Sequence, residues 1–133
     1  MRIADRPADV PVATWIGAVI DCADPERLAT FWRELVGGTI DERTRTADWI
    51  SLAGIEGAGY LSFQRVPEGK SRKNRLHIDL AVDDLGLATA RAESVGASRL
   101  GAPVDEPTNR FQVMQDPEGN EFCFVVWLVR PST

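Results

Sequence analysis

The chain has 133 residues and a net charge of −5, with 44% hydrophobic and 26% charged residues. That length and balance suit one globular domain, which buries roughly 65–70% of the surface its unfolded chain would expose, and they exclude a disordered chain. Two cysteines, Cys22 and Cys123, are too few for a disulfide scaffold. No apolar run approaches a membrane span, and Met1–Pro7 lacks the hydrophobic segment of a signal peptide, so a cytoplasmic protein with no membrane partner is expected.

In chain order, residues 1–11 read as a loosely held arm. "TWIGAVIDC" (14–22) has the apolar character of a strand, and "DPERLATFWRELVGG" (24–38) that of a helix. Asp24 is a suitable N-cap, Pro25 fits the first turn, and Gly37 suits the left-handed cap that ends it. Leu28, Phe31, Trp32 and Leu35 make an apolar stripe for packing on a sheet. Gly38–Asp41, Asp48–Leu52 and Tyr60–Arg65 follow as short strands, with "GIEGAG" as a hairpin turn.

"RVPEGKSRKNR" (65–75) then concentrates five of the 15 basic residues. It reads as a solvated linker or as a site for an anionic ligand. No aromatics interleave its charges, so nucleic acid is not an expected partner.

Beyond it, "LHIDLAVD" (76–83) reads as a strand and "DLGLATARAESVGA" (84–97) as a helix. Ala97–Ala102, Phe111–Gln115 and Glu121–Leu128 read as strands, and "DPEGN" (116–120) turns the chain between the last two. In that turn Pro117 presets one backbone angle, and Gly119 and Asn120 tolerate positive φ.

The two halves repeat. "CADPERLATFWRELVGG" (22–38) and "AVDDLGLATARAESVGA" (81–97) align without gaps at an offset of 59 residues. Asp24 then falls on Asp83, Leu28-Ala29-Thr30 on Leu87-Ala88-Thr89, and Val36-Gly37 on Val95-Gly96. The organisation is α+β: two βαβββ modules, about 14–66 and 76–128, joined by a basic linker at 67–75, in one domain spanning 12–130.

Strand alternation separates two faces. Ile78, Leu80 and Val82 are apolar, leaving His77, Asp79 and Ala81 opposite; Phe122, Phe124 and Val126 leave Glu121, Cys123 and Val125 opposite. A carboxylate at Glu121 that is buried there needs a partner or a task. A Cys/His nucleophile pair using His77, the single histidine, is a further expectation to test.

The duplicated module, with "LHIDLAVDDLGLATARAESVGA" followed by "DPEGNEFC", resembles the vicinal oxygen chelate superfamily, and within it the glyoxalase-like and bleomycin resistance protein-like domains common in actinobacteria. The resemblance covers about residues 14–128 and implies sheets curled around one concave cavity, and often a homodimer. It also implies metal ligands on the first and last strands of each module, typically His or Gln and Glu. Carried onto this chain, these are His77 and Glu121 in the second module, with Ala18 and Tyr60 at the matching places in the first. Half of the set is missing.

Three readings follow. A small anionic or aromatic molecule binds in the cavity without metal, with Trp15, Trp49 and Tyr60 as walls and His77, Asp79 and Glu121 as polar contacts. Alternatively, His77 and Glu121, with Asp79, hold a divalent ion for a lyase, isomerase or dioxygenase reaction. In the third, Glu121, alone or with His77, is a metal-free general base. A His77–Glu121 pair that only neutralises itself is the structural counterpart.

Overall fold

The computed structural model describes residues 2–5 and 7–129. The elements are β1 (Gly17–Cys22), α1 (Pro25–Val36), β2 (Thr39–Ile40), β3 (Trp49–Ile55), β4 (Gly59–Arg65), β5 (Ile78–Ala81), α2 (Leu85–Ser94), β6 (Ser98–Arg99), β7 (Val104–Asp105), β8 (Asn109–Gln115) and β9 (Glu121–Trp127). A short 3₁₀ turn, Ile3–Asp5, lies in the N-terminal arm. The tail from Arg130 falls outside the described residues.

Each half makes its own sheet, in the orders β1-β4-β3-β2 and β5-β9-β8-β6, with β7 also on β8. In both, the strand before the helix lies parallel to the last strand of its module, β1 on β4 and β5 on β9. The remaining pairs are antiparallel. This is the expected duplicated βαβββ plan, with one short strand, β7, that the sequence did not signal.

Asp24 caps α1 by accepting from the Arg27 amide, and Gly37 ends it at a φ of 77°. The cap of α2 is Asp84, not Asp83, accepting from the Leu87 amide. The repeat therefore runs at two offsets. Strand faces and N-caps correspond at 60 residues: Ala18, Ile20 and Cys22 match Ile78, Leu80 and Val82, and Asp24 matches Asp84. The positive-φ glycines that follow the helices, Gly37 and Gly96, correspond at 59, because α2 is the shorter helix. Burial follows the longer offset, since Leu28 is inaccessible while Leu87 is 70% exposed.

One core serves both sheets. Leu28, Phe31 and Trp32 of α1 pack with Leu52, Leu61 and Phe63 of the first sheet and with Met114, Phe122 and Phe124 of the second. The Trp32 and Phe122 rings meet edge-on with centroids 4.9 Å apart. Helix α1 is thus the joint between modules.

The β8–β9 turn locks that joint. Asp116 is 3% exposed; its carboxylate accepts from the Glu118 and Asn120 amides, the Asn120 side chain and the Trp32 indole. Glu118 in turn accepts from the Ala23 and Asp24 amides ahead of α1, where a carboxylate also complements the helix dipole. Among the described residues only glycines have positive φ. Asn120 is thus present for its side-chain hydrogen bond, whereas Gly119 supplies the left-handed turn at φ 84°.

Candidate ligand cleft and donor cluster

Strands β1 and β5 are sheet edges, each paired on one side only. Between them, over the C-terminal half of α1, runs a cleft of about 580 Å³. Ala18, Leu61, Trp32, Leu35, Ile78, Leu80 and Phe124 give it an apolar wall, and Trp15 and Tyr60 stand at its side. Among the described residues, the charged ones lining it are Asp79 and Glu56, with no lysine or arginine. A larger hollow of about 710 Å³ lies over the polar face of α1, among Asp24, Glu26, Arg27 and Glu34. That one is a charged, open surface.

Tyr60 is placed by its neighbour across the sheet. Gly17 is its register partner, and a Cβ on Gly17 would meet the Tyr60 carbonyl oxygen at 2.4 Å and its ring at 2.6 Å. Only glycine lets the ring lie against β1. Trp15, just before that strand, is 75% exposed.

The expected polar residues separate into two groups. Asp79 is among the residues lining the cleft, while His77, Glu121 and Trp49 are not. The Trp49 indole donates to Ser51 Oγ at 2.8 Å, and Ser51 shares a 2.6 Å hydrogen bond with Ser62. Trp49 therefore completes a buried polar cluster of the first sheet. Trp32 and Glu56 join the cleft without having been expected there.

Glu121 has partners. It is 7% exposed, and its oxygens accept from Lys70 Nζ at 3.2 Å and the Asn74 amide at 3.1 Å. Burial alone would raise its pKa, but the Asn74 and Lys70 hydrogen bonds outweigh it and hold the carboxyl below the usual glutamate range. The basic linker is thereby tied to β9. Its lysine at 70 is engaged with protein, which matches neither a wholly solvated loop nor a free anion site.

His77 instead gathers with Asp79 and Cys123. Donor atoms of the three lie within 4.8 Å of one another, and His77 Nδ1 is 3.4 Å from Asp79 Oδ1. The register explains this: Asp79 pairs with Cys123 across the parallel β5–β9 ladder, and His77 is two residues before Asp79 on the same face. Strand alternation already placed Cys123 beside Glu121; what sequence could not show was that Lys70 and Asn74 take Glu121. As a nucleophile pair, Cys123 and His77 are close, but burial and then the Asp79 charge push the thiol up, against activation. Burial, with Glu118, likewise pushes the Cys22 thiol up to about 11.

At the strand offset of 60, the counterparts of His77 and Asp79 are Gly17 and Val19, and the ladder pairs these with Tyr60 and Ser62. Ala18, the counterpart expected from the 59-residue alignment, points into the core side. None of the four supplies an imidazole, carboxylate or thiol. The paired His/Glu arrangement drawn from both modules does not fit these residues.

The profile of the glyoxalase-like domain matches residues 17–125, most of the chain. The chain belongs to the glyoxalase-like family. Solved structures share its fold. A glyoxalase/bleomycin resistance protein/dioxygenase family enzyme from Burkholderia phytofirmans superposes with a TM-score of 0.75 at 20% identity, covering 87% of this chain and all (100%) of the other. A glyoxalase/bleomycin resistance protein/dioxygenase from Nocardioides gives 0.72 at 17% identity, covering 95% and 92%. TioX from Micromonospora gives 0.60 at 19% identity, covering 87% and 100%. At these identities the likeness is one of fold. None of the functionally curated proteins compared with this glyoxalase-like chain matches it in sequence. Among the described residues no helix is long and apolar enough to cross a membrane.

Proposed function

We propose that the cleft between β1 and β5 binds a small, largely apolar molecule that carries an aromatic ring and a neutral or cationic polar end. The observation that carries this is the lining: Trp15 and Tyr60 offer aromatic surface, and the charged residues that line the space, among those described, are Asp79 and Glu56. A volume near 580 Å³ lies within the range of about 300–1,000 Å³ typical of small-molecule sites. An anionic ligand would meet like charge there, and Lys70 of the basic linker is bonded to Glu121. A general-base role for Glu121 gains no support, because both its oxygens already accept hydrogen bonds.

Matched fragments test this reading by calorimetry: phenethylamine, a cation, against 3-phenylpropionate, an anion. The amine is expected to bind more tightly, Asp79→Asn to remove most of the difference, and Tyr60→Ala to weaken both by about tenfold, or 1.4 kcal/mol. Tighter binding of the carboxylate would overturn the proposal.

A further inference from the structure

We propose that His77, Asp79 and Cys123 form a three-donor site for a thiophilic divalent cation of the Zn²⁺ or Co²⁺ type, at the border of the cleft. The inference stands on the donor cluster and is independent of what the cleft binds.

The first argument is placement. Cys123 is 6% exposed and held between β5 and β8 by ladder pairing with Asp79 and Val113. Its sulfur is a fixed point. The side chains of His77 and Asp79 are 46% and 57% exposed and free to adjust. Donors bound at about 2.0–2.3 Å around a tetrahedral ion stand roughly 3.3–3.8 Å apart. The His77–Asp79 separation of 3.4 Å already meets this. The outer limit of 4.8 Å leaves about one ångström for those two side chains to close toward the sulfur.

The second argument is chemistry. Imidazole, carboxylate and thiolate together favour borderline and soft ions over Mg²⁺, Ca²⁺ or Mn²⁺, which prefer all-oxygen sites. Binding converts the Cys123 thiol to thiolate, with its proton released to solvent. Three protein donors leave a fourth tetrahedral position for water or a ligand atom. Asp79 belongs to both cluster and cleft wall, so the ion would sit where a cleft ligand can reach it. Glu121 shares this face of β9 but is outside the cluster, bonded to Lys70 and Asn74. Lys73 is close enough to act on Cys123 electrostatically; it is the opposing charge the ion must outweigh.

The test is titration of the untagged, reduced protein with Co²⁺, followed by absorption. A single equivalent should bind and give near-ultraviolet sulfur-to-cobalt charge-transfer absorption. Cys123→Ser should abolish that absorption, while Glu121→Gln and Cys22→Ser keep it. His77 is the single histidine and is exposed, so His77→Ala is a folding-neutral second variant, expected to weaken Co²⁺ binding at least tenfold. Absence of charge-transfer absorption, its persistence in Cys123→Ser, or binding unchanged in His77→Ala would each overturn the site. Fragment binding to metal-free protein reports on the cleft separately, so either proposal can fail alone.

Discussion

Glu121 shows how a buried carboxylate is kept charged. Its two hydrogen bonds come from a lysine and a backbone amide of the linker, 51 and 47 residues away in sequence, so its ionisation is coupled to docking of that segment. Because its folded pKa lies below the usual glutamate value, the sign is that of a stabilising carboxylate: the contribution is full above the unfolded pKa and fades as pH falls through the folded one. Glu121→Gln is expected to cost about 1–3 kcal/mol at pH 7, the usual worth of a charged hydrogen bond. Urea unfolding at pH 7 and again at pH 3 checks this, since the wild-type advantage should shrink at the lower pH. An undiminished advantage at pH 3 would show that the effect is not ionisation of Glu121. Sequence demanded a partner for this residue and could not name it, because Lys70 and Asn74 lie in a linker without secondary-structure periodicity.

At the level of elements, the close approach of β1 and β4 sets the cleft. Gly17 has ordinary strand geometry, and its role is spatial: it leaves room for the Tyr60 ring. Gly17→Ala is expected to push Tyr60 aside, weakening phenethylamine binding about as much as Tyr60→Ala, and to cost about 1–3 kcal/mol of stability through overpacking. Calorimetry and urea unfolding on the single variant check both effects; unchanged binding would mean that Tyr60 is not a wall of the site. The paired helices, the caps of α1, the hairpin at 56–58 and the parity of faces on β5 and β9 were all readable, because period-two and helical patterns are local. The true strand offset was not. A gapless alignment follows the matching Val36-Gly37 and Val95-Gly96 pairs, and the one-residue difference between that offset and the strand offset moves His77 from the counterpart of Ala18 to that of Gly17. Strand β7 escaped because Val104–Asp105 is too short to carry any pattern.

Across the whole molecule, the two modules are joined through α1, through the aromatic contact of Phe31 and Trp32 with Phe122, and through the Asp116–Glu118 turn. That arrangement leaves β1 and β5 as open edges facing a shared cleft, with Trp15, Ile16 and Leu76 exposed around them. Duplication thus yields asymmetry: the second module carries the thiol, imidazole and carboxylate, while the first contributes aromatic surface. The glyoxalase-like fold was legible in motifs, but the cleft was not, because it is formed by edges that meet in space without pairing. The four tryptophans make its occupancy directly observable. Trp15 and Trp32 line the cleft, whereas Trp49 and Trp127 do not. Titration of phenethylamine into ¹⁵N-labelled protein, with indole signals assigned by single Trp→Phe variants, should shift the Trp15 and Trp32 resonances and leave the other two in place. Shifts confined to Trp49 or Trp127, or none at saturating ligand, would contradict the assignment of function to this cleft.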